Sequence, residues 1–163
     1  MRAGAPQMHR MSKDAEAVKA LSARRAQLAP GTPAGVTEAM IHDLVHAFYG
    51  KARRDPALGP IFNRVIGDGW DEHLAKLCDF WSSVMLMTGR FHGSPMAAHT
   101  RIEGVRPTHF ARWLHLWRET AAELCPPEAA ALFVAKAEMI GQSLQLGIAA
   151  SRGELPPVRS AGA

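Results

Sequence analysis

The sequence offers little of what usually announces a site. Among 163 residues there are two cysteines and one tyrosine. Cys78 and Cys125 belong to no Cys-x-x-Cys pair, which excludes zinc-ribbon and small disulfide frameworks. Both fall in helical patterns and are expected to be reduced, mostly buried thiols of a cytoplasmic protein. No run of eighteen or more apolar residues occurs, so no membrane span is expected. The N-terminus also lacks the continuous apolar stretch of a secretory signal. A glycine-rich phosphate loop, a zinc-peptidase signature and a nucleophile elbow are all missing, which argues against the enzyme classes built on them.

A basic stripe is missing too, although the formal charge is +4. Residues 1–35 hold six Lys or Arg against two acidic residues, so the whole excess resides there, and the remainder carries thirteen of each sign. A neutral domain behind a basic extension gives no reason to expect a nucleic-acid partner. The extension is rich in Ala, Arg, Gln, Gly and Pro and ends in Ala29-Pro30-Gly31-Thr32-Pro33-Ala34-Gly35. Its composition predicts a disordered segment over 1–35, transiently helical at most from Lys13 to Leu28. Residues 151–163 are expected to form a loose tail.

What the sequence does have is helical periodicity, from residue 36 to about 150. The first helix is predicted from Thr37 to Arg54, with Met40, Ile41, Leu44, Val45, Phe48 and Tyr49 inward and Asp55-Pro56 ending it. Leu58 to Asn63 reads as an irregular turn. A second helix follows from Trp70 to Thr88, with Asp68 as its cap and Gly89 as its stop. Ser94-Pro95 opens a short helix to Ile102, and Arg106-Pro107 opens a long one to Leu124. The last helix, Pro127 to Ala149, is expected to bury Ala131, Leu132, Ala135, Met139, Ile140 and Leu144. The fold class is all-α, one domain over 36–150.

Several polar residues interrupt the apolar faces. Tyr49 follows Phe48 on the inward stripe; His73 and Leu77 share one side of their helix, as do Trp113 and Trp117; His99 lies on the short helix. Singly, each fits an ordinary core or surface position. Together they describe an apolar pocket with imidazoles and a hydroxyl, suited to a flat apolar cofactor bound by histidine.

The ordered set Phe48-Tyr49, Asp55-Pro56-Ala57-Leu58-Gly59-Pro60-Ile61-Phe62-Asn63, Trp70-Asp71-Glu72-His73-Leu74-Ala75-Lys76-Leu77-Cys78-Asp79-Phe80-Trp81, Gly93-Ser94-Pro95-Met96-Ala97-Ala98-His99 and Trp113 resembles the truncated haemoglobins, within them group III. The resemblance covers about residues 36–150 and implies a globin reduced to a two-over-two helical sandwich around haem b. It implies His99 as the proximal iron ligand and Phe62 as the aromatic against the porphyrin face. Tyr49, His73, Leu77 and Trp113 match the residues on the side where gas binds, and Phe80 and Trp81 match the bulky pocket aromatics. The family often has isoleucine where Leu77 stands, a change of shape more than of polarity. Lys76 and Arg101 are candidates to reach a haem propionate; solvated surface charge describes both equally well.

The implied function is reversible binding of O₂, NO or CO, with Tyr49 and Trp113 as hydrogen-bond donors that slow gas release and suit redox chemistry. Turnover on O₂, NO or peroxide, as NO dioxygenase or peroxidase, would need a separate reductase. The expected state is a monomer or weak homodimer. A haem-based sensor or electron-transfer module and, last, a cofactor-free helical interaction domain with a basic tail stay open beside it.

Overall fold

The computed structural model describes residues 5–154, with side chains from residue 12 onward. Most of the tail expected over 151–163, from residue 155 on, lies outside the described residues, as do residues 1–4 of the extension. The described residues form seven helices and no strand: α1 (Ala5–Leu28), α2 (Glu38–Ala52), α3 (Gly59–Ile66), α4 (Trp70–Leu86), α5 (Pro95–Thr100), α6 (Pro107–Leu124) and α7 (Pro127–Ser151). The principal packings are α2 on α4, α2 on α6, α6 on α7 and α5 on α7. Two helix pairs therefore lie one over the other, α2/α4 and α6/α7. No helix among the described residues is long and apolar enough to cross a membrane.

The caps explain most of the boundaries. The Thr37 side chain accepts from the Met40 N–H at 3.2 Å and starts α2. Ser94 does the same for α5, accepting from Ala97 N–H at 3.3 Å with Pro95 at the first helical position. Two expected boundaries move. Asp68 does not cap α4, whose N-cap is Gly69 without a side-chain bond, and α4 ends at Met87 in the left-handed region (φ 55°), before Gly89. Leu58 to Asn63 is also not a plain turn, because Pro60 sits in the first turn of α3 and the helix continues to Ile66.

The core is a slab of aromatic and small residues between the pairs. Trp81, Trp117, Phe48 and Phe133 are among its largest fully buried side chains. Trp113, Trp117 and Trp81 form a continuous indole stack, with ring centroids 5.5 and 4.6 Å apart and planes within 7° and 17°. The Trp117 indole N–H donates to Phe133 O at 3.3 Å. Helix α7 buries Ala129, Phe133, Ala137, Gly141, Leu144 and Ile148; of the residues expected inward, Leu144 is buried and Leu132 and Ile140 half-buried, while Ala131, Ala135 and Met139 are exposed. Ala129, Ala137 and Gly141 keep this face low where α6 packs on it, and the fully buried Phe133 stands between Ala129 and Ala137. On the same helix, Gly147 receives Met96 of α5: a Cβ there would stand 2.0 Å from the thioether sulfur.

Two findings revise the N-terminal segment. Residues 5–28 form one continuous helix, in keeping with their Ala, Arg, Lys, Gln and Glu content, and residues 12–28 are all exposed. The domain itself begins before residue 36. Ala29 is 1% exposed, and the Gly31 N–H donates to Met85 O at 2.8 Å, closing the loop onto the end of α4. A Cβ at Gly31 would lie 2.8 Å from that same oxygen, so only glycine permits the contact. Removal of residues 1–28 is expected to leave the melting temperature of the domain unchanged, whereas removal of 1–35 should lower it. Thermal unfolding of the two truncations checks this.

A buried carboxylate joins α6 to the loop after α2. Asp55 Oδ1 accepts from the N–H groups of Ala57 and Leu58 at 3.0 Å, and Oδ2 receives Arg112 at 2.7 Å. Burial by itself would raise the Asp55 pKa; the Leu58 N–H, Arg112 and the Ala57 N–H outweigh it and hold the carboxyl below its usual value. The folded state therefore gains stability from Asp55 above the unfolded pKa of about 3.9 and loses it as pH falls through the lower folded value. Asp55→Ala should cost about 2–4 kcal/mol at pH 7 by urea unfolding. The difference between variant and parent should shrink below about pH 4.

Candidate functional site

Helices α2, α3, α4 and α6 wall a cavity of about 840 Å³ that α5 and α7 close from another direction. Its size falls in the range of small-molecule and cofactor sites. Tyr49, Phe62, His73, Lys76, Leu77, Phe80, Trp81, His99 and Trp113 all line it. Eight of these come from α2, α3, α4 and α6, and their convergence follows from helical register. Tyr49 shares the inward stripe of α2, His73 and Leu77 are one turn apart on α4, and Trp113 continues the indole stack to the cavity wall.

Tyr49 stands at the centre of an aromatic cage. Its ring meets Phe48, Phe62 and His73 edge-to-face at 4.8, 5.6 and 5.9 Å, with Trp70 tilted at 6.1 Å. Burial pushes the phenol pKa above its ordinary value, and the neighbouring Trp113 indole only partly opposes this. The hydroxyl therefore stays protonated, and able to donate, at physiological pH.

His73 is half-buried, and burial first, then the charges of Lys76 and His99, lower its pKa. It is a neutral imidazole near pH 7. His99 projects from α5, whose Ser94 cap and proline start fix its direction. Its Nδ1 lies 2.7 Å from Pro95 O, one turn back. A carbonyl can only accept, so Nδ1 carries the proton and Nε2 keeps its lone pair. An imidazole held in this way by a backbone carbonyl is oriented as a metal ligand.

No family model matches the chain. A curated relative, the group 3 truncated hemoglobin ctb of Campylobacter jejuni, is 33% identical over 113 residues, which cover 68% of this chain and 89% of that protein. The crystal structure of group III truncated hemoglobin from Campylobacter jejuni superposes with a TM-score of 0.65 at 33% identity, over the same 68% and 89% of the two chains. The chain belongs to the group III truncated haemoglobins. Its all-helical two-over-two fold is that of the family, and membership makes it a globin-type haem protein.

Within this truncated haemoglobin, two expected cations stand differently from the sequence reading. Arg101 is at the C-cap of α5 and is not on the cavity wall. Lys76 is on the wall but pairs with Glu72 at 2.8 Å, and both are largely exposed. The cavity instead gains Arg90, His92 and His109, which sequence reasoning had not singled out. Arg90 is held by Glu38 at 2.9 Å and Asp79 at 3.1 Å. His109 Nδ1 accepts from the Arg106 N–H at 2.9 Å, so its Nε2 carries the proton and is a donor. Its place three residues after a helix-opening Arg-Pro was the available signal, since side chains there commonly turn back to cap the backbone.

The charge of Lys76 on His73 can be read directly. In the protein without haem, the His73 titration followed by NMR should fall below the ordinary histidine value of about 6.5. Lys76→Met should move it part of the way back up.

Proposed function

We propose that this truncated haemoglobin binds one haem b through His99 and holds O₂, NO or CO beside Tyr49 and Trp113. The observation that carries the reading is the 2.7 Å contact between His99 Nδ1 and Pro95 O, which leaves Nε2 as the free ligand atom at a large apolar cavity. When bound, ferrous haem iron would supply the coordination position for a diatomic gas and a single electron toward it. The rest falls to the chain's own side chains.

Phe62, Leu77, Phe80 and Trp81 keep water out and give the cavity its apolar, flat-sided shape. Tyr49 stays protonated across the physiological range, and its O–H and the Trp113 N–H are the donors for a polar gas, each worth roughly 1–3 kcal/mol where water is excluded. Trp113 is kept in place by its stack on Trp117, so the donor pair is set before any ligand arrives. His73, neutral and half-buried, lies beside this pair as a gate. At the cavity mouth, the His109 Nε2–H and Lys76 are the groups suited to the two carboxylates of haem b. Lys76 can leave Glu72 at little cost, because both side chains are largely exposed and water screens the pair. His109 takes the place that the sequence reading gave to Arg101. Redox turnover on O₂, NO or peroxide calls for an electron donor outside the helical domain.

Purified protein supplied with haem should show a Soret band that His99→Ala loses or shifts, and added imidazole should restore it. An unshifted band in His99→Ala removes the proposed ligand. Tyr49→Phe and Trp113→Phe should each speed O₂ dissociation by roughly tenfold, measured by stopped flow, as the loss of a 1–3 kcal/mol donor requires. Unchanged rates in both would sink the donor pair while leaving haem binding intact.

A further inference from the structure

Helix α2 carries a second pair of imidazoles outside the cavity. His42 and His46 are one turn apart, and their rings stack with centroids 4.1 Å apart and planes 27° from parallel. Both are exposed, His42 with 61% of its side chain open, and neither lines the cavity. Positions four apart on a helix project from the same side, which is the spacing by which helices present two histidines to one metal ion.

The neighbouring carboxylate sharpens this. Asp43 Oδ1 lies 3.1 Å from His42 Nδ1. A carboxylate accepts only, so Nδ1 carries the proton and Nε2 holds the lone pair. A histidine whose other ring nitrogen is bound to a carboxylate is the usual arrangement around protein-bound zinc. A cation about 2.0–2.1 Å from each nitrogen would bring them to roughly 3 Å apart. The rings are stacked with centroids 4.1 Å apart, so their in-plane lone pairs run side by side, and the two exposed side chains turn toward each other to converge on one ion. Among the described residues no group of three or more His, Cys, Asp and Glu is placed to enclose a metal, so water would complete the coordination.

We propose that His42 and His46 form a surface chelate for a divalent transition metal, with Asp43 as the residue that positions His42. Two imidazoles select Cu²⁺ most tightly, then Ni²⁺ or Zn²⁺, and disfavour Mg²⁺ and Ca²⁺, which prefer oxygen ligands. The site is independent of the haem cavity. It does not use His99, and a cation there would tie together two consecutive turns of the helix that also bears Tyr49.

The test uses the full-length, haem-loaded protein and CuCl₂, NiCl₂, ZnCl₂ and MgCl₂ as probes. Calorimetry should show saturable 1:1 binding for Cu²⁺ and Ni²⁺ and none for Mg²⁺, and the Cu²⁺ EPR spectrum should show coupling to two imidazole nitrogens. His42→Gln and His46→Gln should each lose one nitrogen and at least about tenfold in affinity. Asp43→Asn should weaken binding by roughly tenfold without changing the nitrogen count, as loss of a ligand-orienting group does. His115→Gln, an exposed histidine paired with Glu119, should change nothing. The three substituted positions near the site are exposed, so an unaltered circular dichroism spectrum is expected and confirms the fold. The same Cu²⁺ signal in a His99→Ala background would show that the chelate stands apart from the haem reading. Equal affinity and equal nitrogen count in His42→Gln and His46→Gln, or binding of Mg²⁺ as tight as that of Ni²⁺, would overturn the proposal.

Discussion

The three stacked indoles of Trp81, Trp117 and Trp113 are the constraint on which the rest of the molecule depends. Trp117 lies in the core between two rings that both reach the cavity wall, so one array is packing at its middle and site at its ends. Trp117, fully buried and tied to Phe133 O by its N–H, is the fixed member. Trp81 brings α4 to it, Phe133 brings α7, and Phe48 meets it edge-on from α2 at 5.0 Å. Trp113 is then oriented by its stack on Trp117, with planes within 7°. The polarity of the cavity is in this sense a by-product of how four helices agree to pack.

Two carboxylate clamps complete the frame around that array. Asp55 ties the start of α6 to the loop that leads into α3, and so fixes Phe62 relative to Trp113. Glu38 joins Arg90 and the buried Ser82 hydroxyl, at 2.9 and 2.7 Å, and holds the segment after α4 against the beginning of α2. Each clamp spans a long stretch of chain, and neither carboxylate lines the cavity. The interior is left to rings and methyl groups, which a large flat cofactor can meet without displacing a buried charge.

Much of this was legible in the sequence, and the exceptions have physical causes. The ends of α2, α5, α6 and α7 could be read because Thr37, Ser94, Pro107 and Pro127 carry local start signals that no tertiary contact overrides. The inward face of α7 could not. That helix is apolar on nearly every side, so periodicity alone names no stripe, and the choice of Ala129, Phe133, Ala137 and Gly141 is made by the shape of α6. The helix α3 was hidden for the opposite reason, since Leu58-Gly59-Pro60 signals a turn even where its proline opens a helix. Tyr49 and Trp113 followed from residue type and register together, whereas Phe62 and Trp81 came from the family resemblance, since Phe62 lies where the sequence reads as a turn. The charged rim did not, because spacing tells which face Lys76 or Arg101 occupies but not which partner a long, solvated side chain will choose.

The contact between Met96 and Gly147 has a mechanical consequence. Helix α5 is six residues long and buries none of them completely. It rests on α7 chiefly through a thioether seated in the notch that a missing side chain leaves. An unbranched sulfur chain is the most deformable of core fillers, able to change rotamer without opening a void. The short helix that bears His99 is therefore mounted on a compliant bearing, while the Tyr49–Trp113 wall is braced by stiff rings. Any strain that a bound cofactor imposes between the two would be absorbed on the histidine side, leaving the donor pair where the indoles hold it.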